Sequence, residues 1–112
     1  MSKFEEAIES YEEQVKELNL GIESELLRAV AKGLGPSIYN ADAEKVSSSD
    51  PDELARVKQN FLIKKLGLSD SPELDEAIEE VIEKLGSSNR NKYRAVFYAL
   101  LVKKFKKEDV YN

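Results

Sequence analysis

Eight consecutive residues near the end of the chain, Ala95 to Val102 (AVFYALLV), carry no charge and leave no charged face at any helical spacing. A helix that is apolar around its whole circumference must be covered on most sides. A run this short falls well below the ~18 to 20 residues that a bilayer span requires. The segment is therefore expected to be the central helix of a soluble domain, running from about Asn89 to Lys107, with other helices wrapped around it. Elsewhere apolar residues recur at spacings of three and four, and no useful alternating run appears, so the chain reads as all-α. Its 112 residues, 41% of them hydrophobic, suffice for one modest core but not two. The expected architecture is a single helical domain over 1–112, a compact bundle of about five helices.

Start and stop signals divide the rest. Ser2-Lys3-Phe4-Glu5 is a capping box opening the first helix. Its stripe of Phe4, Ile8, Tyr11, Val15 and Leu18 is narrow, and about two heptads are too few for an independent coiled coil, so it is expected to pack on its own domain. A second helix is expected from Ser24 to Gly33, burying Leu26, Leu27, Val30 and Leu34, with Gly35-Pro36 stopping it. Asp50-Pro51-Asp52-Glu53 opens a third, with an N-cap, a proline at N1 and an inner stripe of Leu54, Val57, Phe61, Leu62 and Leu66. Ser71-Pro72 opens a fourth, with Leu74, Ile78, Val81, Ile82 and Leu85 inside and Gly86 after it.

Leu18-Asn19-Leu20 and Leu66-Gly67-Leu68 both read as Schellman endings, in which the final leucine returns to the C3 residue, here Val15 and Ile63. Matches continue at a constant offset of 48, among them Glu25 with Glu73, Leu26 with Leu74 and Ala29 with Ala77. Two readings stand, a duplicated αα-corner and a shared grammar of turns. The segment from 35 to 50, GPSIYNADAEKVSSSD, is long for a structureless connection. Ile38, Tyr39 and Val46 are expected to pin it to the core, with one or two short helical turns.

The chain has no cysteine and no histidine. Disulfides, thiolate nucleophiles, Cys/His zinc sites and imidazole acid–base chemistry are excluded, and no Asp-x-Asp-x-Asp-Gly calcium loop is present. No catalytic residue, metal ligand or cofactor is assigned, and the expected class is a non-catalytic binding or interaction module with a protein partner, its oligomeric state open. With an acidic, non-signal N-terminus and no cysteine, the expected location is the cytoplasm. The net charge of −5 is uneven: residues 1–34 sum to −4, 35–85 to −6 and 86–112 to +5.

That basic tail begins at SSNRNKYR, residues 87 to 94. Cations at a helix N-terminus oppose the macrodipole at a cost of roughly 0.3 to 1 kcal/mol each, so something must compensate Arg90, Lys92 and Arg94. With capping oxygens from Ser87, Ser88 and Asn89, they form a recipe for a phosphate or carboxylate. The competing reading pairs them with the fourth helix, through Glu73, Asp75, Glu76, Glu79, Glu80 and Glu83. Nucleic acid is disfavoured because Tyr93, Val96, Phe97 and Leu100 share a core-like face and the sequence pI is near 4.9. A second candidate is a small loop pocket of Tyr39, Asn40 and Asp42, against a reading in which Asn40 or Asp42 simply caps the next turn.

Three strings, GPSIYNAD at 35 to 42, NFLIKKLGL at 60 to 68 and SNRNKYRAVFYALLVKKF at 88 to 105, followed by VY at 110 to 111, include loop residues that helical composition does not dictate. In these the chain resembles a small bacterial domain-of-unknown-function family, DUF2853. The resemblance implies a bacterial, intracellular protein and brings no catalytic residues with it.

Overall fold

The Ser2 hydroxyl accepts a hydrogen bond from the Glu5 amide at 3.2 Å and starts α1, Lys3–Glu17. The computed structural model describes residues 2–40, 43–89 and 91–111. Glu5 does not complete the capping box. Its carboxylate is taken by Arg28, which donates to both oxygens at 2.7 and 2.8 Å. The chain continues with α2, Ser24–Leu34, a 3-10 turn over Gly35–Tyr39, α3, Pro51–Arg56, a π-helical continuation over Val57–Lys65, α4, Pro72–Leu85, α5, Arg94–Lys104, and a last 3-10 turn over Glu108–Tyr111. No strand occurs among the described residues, only one isolated antiparallel bridge between Lys45 and Tyr93.

Every residue from Ala95 to Val102 is buried, and α5 packs against α2, α4 and α1. The apolar run is thus the axis of the fold. A Cα radius of gyration of 12.9 Å matches the roughly 13 Å expected of a compact chain this long. The bounds of α5 are tighter than the sequence suggests. At its start, backbone hydrogen bonds from Val46 N to Lys92 O (2.8 Å) and from Arg94 N to Glu44 O (2.7 Å) tie the chain to the 44–46 segment, and the helix begins only at Arg94. At its end, Lys106 takes a left-handed φ of 55°, and Lys107 N returns to Val102 O at 2.9 Å in a Schellman closure.

The ending at Leu18-Asn19-Leu20 is as read. Asn19 has φ 54°, and Leu20 N reaches Val15 O at 2.9 Å. The matching closure after the third helix is displaced by one residue, with Leu68 N bonded to Leu62 O rather than Ile63 O. The π-helical turn is the reason: it is one residue wider, as the Leu66 N to Phe61 O bond at 2.9 Å shows. The boundaries nevertheless recur at the offset of 48. Residues 3 and 17 of α1 map onto 51 and 65, the limits of α3 with its continuation, and residue 24, where α2 starts, maps onto 72, where α4 starts.

Four burial expectations are corrected, the first at Leu34, which is only half-buried at the end of α2. Leu18 is 38% exposed, while Gln14 is buried in its place and donates through Nε2 to Asn91 O. In α3 the buried side is led by Glu53, with Leu54 only half-buried, because Glu53 serves as a counter-ion within the structure. Ile38 and Val46 anchor the 35–50 segment, but Tyr39 is 45% exposed.

Burial also predicts an alkaline transition. Tyr11 is pushed up to about 12, first by burial and then by the nearby Glu44, and Tyr111 likewise reaches about 12 through burial. In the unfolded chain both phenols ionise near 10. Their contribution to stability is complete below pH 10 and is lost as pH rises toward 12. For Tyr11, 2% exposed, the rise to about 12 is worth on the order of 3 kcal/mol. Phenolate absorbance and circular dichroism should therefore change together, cooperatively, in that window. Independent ionisation near pH 10 with the fold intact would contradict the assignment.

Candidate functional site

The connection from α4 to α5 is ordered by its own short polar side chains. After Gly86, at φ 95°, Asn89 donates through Nδ2 to Leu85 O at 2.9 Å and accepts from the Asn91 amide at 2.9 Å through Oδ1. The same connection is held from α1 by Gln14 and from the 43–46 segment by the backbone bridge. Its geometry is therefore set by the Asn89 side chain together with long-range contacts rather than by helix propensity.

The cations of this segment meet different environments. Arg94 forms an ion pair with Glu53 of α3, and donates through Nε to Ala43 O at 2.6 Å and through Nη1 to the Tyr98 hydroxyl at 2.9 Å. Glu53 also takes Arg56 at 2.9 Å. Burial works against charge on Arg94, but Tyr98 and Glu53 outweigh it, and its pKa is raised. Tyr98 in turn stacks on Phe61 of the π-helical segment, with ring centroids 4.0 Å apart. Compensation for Arg94 is thus internal, though not from α4, where Glu80 pairs with Lys104 and Asp75 with Lys58.

Lys92 is the contrasting case. It is 3% exposed, and its ammonium donates to the backbone carbonyls of Ser87, at 3.2 Å, and Asn89. No carboxylate pairs with it among the described residues. Burial lowers its pKa from the ordinary lysine value, because desolvation disfavours the charged form. Its immediate partners are carbonyl dipoles only.

Lys92 lines a groove of about 510 Å³ with Ser87, Ser88 and Asn89 on one wall and Lys45, Val46 and Ser47 to Ser49 on the other. Four of the six residues singled out around the start of the last helix are brought together here. Arg94 is turned away into the Glu53 network, and Arg90 lies outside the described residues. Lys45 sits 3.8 Å from Glu44 and 5.9 Å from the centre of the Tyr93 ring, and its side chain is over one-third exposed. The opposite wall was missed in the sequence. Its only signal is the Ser-Ser-Ser run, which reads as a loop until the 45–93 bridge places it across from the other serines.

Of the loop pocket, Tyr39 lies at the surface, while the Asn40 carbonyl closes the next turn by accepting from Ala43 N at 2.9 Å and Glu44 N at 2.8 Å. Asp42 lies outside the described residues. Among the described residues there is no group of three or more acidic side chains placed to hold a metal ion, and no helix long and apolar enough to cross a membrane.

The family model described as a protein of unknown function, DUF2853, matches residues 10–109, a span that contains both walls of the groove. No curated protein matches the chain.

Proposed function

The chain belongs to the DUF2853 family of proteins of unknown function, and on that premise we propose that it is a non-catalytic binding module whose serine-lined groove takes a small anion, a phosphate or a phosphate ester. The observation that carries this reading is Lys92, a buried ammonium with carbonyl partners and no carboxylate among the described residues, on the wall of a groove rich in hydroxyl groups. Buried charges are ordinarily paired, and an anion in the groove supplies the missing charge while the serine hydroxyls donate to its oxygens. Lys45, more exposed, adds a second cation along the groove. The absence of histidine and cysteine from the chain supports binding without catalysis. The cysteine-free composition and the family resemblance support a bacterial cytoplasmic setting.

The test is thermal unfolding of the wild type and Lys92→Met in rising inorganic phosphate at constant ionic strength. Methionine removes two hydrogen bonds and a desolvated charge, opposing effects whose net change should stay within about 1.5 kcal/mol. The wild type should show a saturating rise. At about 100 times the dissociation constant the gain is about 2.7 kcal/mol, or several degrees in a domain of this size. Lys92→Met should show only the non-saturating stabilisation that phosphate gives by exclusion from protein surfaces. Identical, non-saturating curves for the two proteins would overturn the reading.

A further inference from the structure

A second groove, on the opposite side of the charge balance, lies where α1 meets the start of α2. Its floor is apolar, with half-buried Val15 over Ile22 and Leu27, and its rim carries Glu9, Glu12 and Glu13. The space between is about 560 Å³, within the range of pockets that take one or two side chains or a small ligand. Leu18, three residues after Val15, is one of the few large hydrophobic side chains left exposed among the described residues. Glu12 accepts a hydrogen bond from Ser24 at 3.3 Å, and none of the three rim carboxylates is in an ion pair among the described residues. Lys16 is the one cation lining the groove, and Arg28 nearby is committed to Glu5.

We propose that this groove docks a cationic amphipathic segment of another protein, one apolar side chain seated on Val15 and the edge of Ile22 and flanking lysines or arginines set against Glu9, Glu12 and Glu13. The occupant follows from complementarity of two kinds. An apolar floor rewards burial of an apolar side chain, and a rim with three carboxylates against the single cation Lys16 favours positive flanks and repels acidic ones. A solvated acidic helix face would need no floor of this kind. A second copy fits less well. The chain's own basic apolar string, Lys103 to Lys107 around Phe105, is engaged in its own fold: Phe105 packs on the core, Lys103 donates to Gly21 O and Lys104 pairs with Glu80. The surface is separate from the serine groove, so this inference stands or falls independently of the anion reading.

The experiment is fluorescence anisotropy with two labelled probes, a short helix-forming peptide of leucine and lysine and an equally charged lysine peptide with serine in place of leucine. The protein is used as the wild type, as Glu9→Gln/Glu12→Gln/Glu13→Gln and as Val15→Ser, with circular dichroism confirming folding. The amphipathic probe should bind one to one and weaken with salt. The triple variant should bind it about tenfold more weakly, and both Val15→Ser and the serine probe should lose affinity at constant charge. Equal binding of the two probes, or wild-type affinity in the triple variant, would overturn the proposal. A concentration-dependent dimer that the triple variant abolishes and the amphipathic probe does not displace would also overturn it, in favour of a second copy.

Discussion

Phe97→Ala should remove about 3 to 5 kcal/mol of stability, the range for deleting a fully buried aromatic side chain from a core that cannot collapse around the space. Phe97 is 0% exposed, and its neighbours on α5 are buried on every side. Domains of this size have about 5 to 15 kcal/mol in all, so the variant should be close to the folding threshold and its melting temperature lower by on the order of 15 °C. Leu18→Ala is the control. At a surface site the change should stay within about 0.5 kcal/mol. Urea unfolding of both variants decides the matter, and comparable losses at the two sites would mean that α5 is not the axis of the core.

The second large effect is expected at Arg94. Arg94→Met leaves the Glu53 carboxylate, whose side chain is 11% exposed, with only the more exposed Arg56 as a partner, so the loss should lie at the lower end of the range of about 3 to 5 kcal/mol that breaking a buried pair from one side costs. It also removes donors from Ala43 O and the Tyr98 hydroxyl. Arg94→Lys should not rescue it, because one ammonium cannot serve three acceptors in the directions that the guanidinium spans. The double variant Arg94→Met/Glu53→Leu should recover much of the loss, since an apolar pair avoids a largely buried carboxylate held by the exposed Arg56 alone. Additive losses in the double variant, measured by chemical denaturation, would contradict the coupling.

These two residues show where the sequence speaks and where it is silent. Phe97 belongs to a contiguous pattern, eight apolar residues in a row, and burial on all sides follows from local chemistry alone. The Asn19 ending is legible for the same reason, because a left-handed residue and a returning leucine are neighbours in the chain. The partner of Arg94 is not legible: Glu53 lies 41 residues away, and reads locally as an ordinary acid in the first turn of a helix. Gln14 is hidden likewise, its burial set by a contact with Asn91. The start of α5 shifts from Asn89 to Arg94 because the backbone of 44–46 claims hydrogen bonds that a helix would otherwise use. Half of the groove around Lys92 was visible as a basic, serine-containing turn. The other half needed the fold, since a run of three serines acquires meaning only from what lies across from it.

Two cations two residues apart meet opposite environments: Arg94 is paired with Glu53 within the protein, whereas Lys92 has backbone carbonyls as partners and no carboxylate among the described residues. The most direct test follows the Lys92 ammonium itself, by a pH titration of its side-chain nitrogen in isotope-labelled protein with and without inorganic phosphate at constant ionic strength. Without phosphate its pKa should lie below the ordinary lysine value, as burial requires. With phosphate it should move back up, because a bound anion favours the charged form. A lysine that titrates at its ordinary value, or one whose depressed pKa ignores phosphate, would contradict the account.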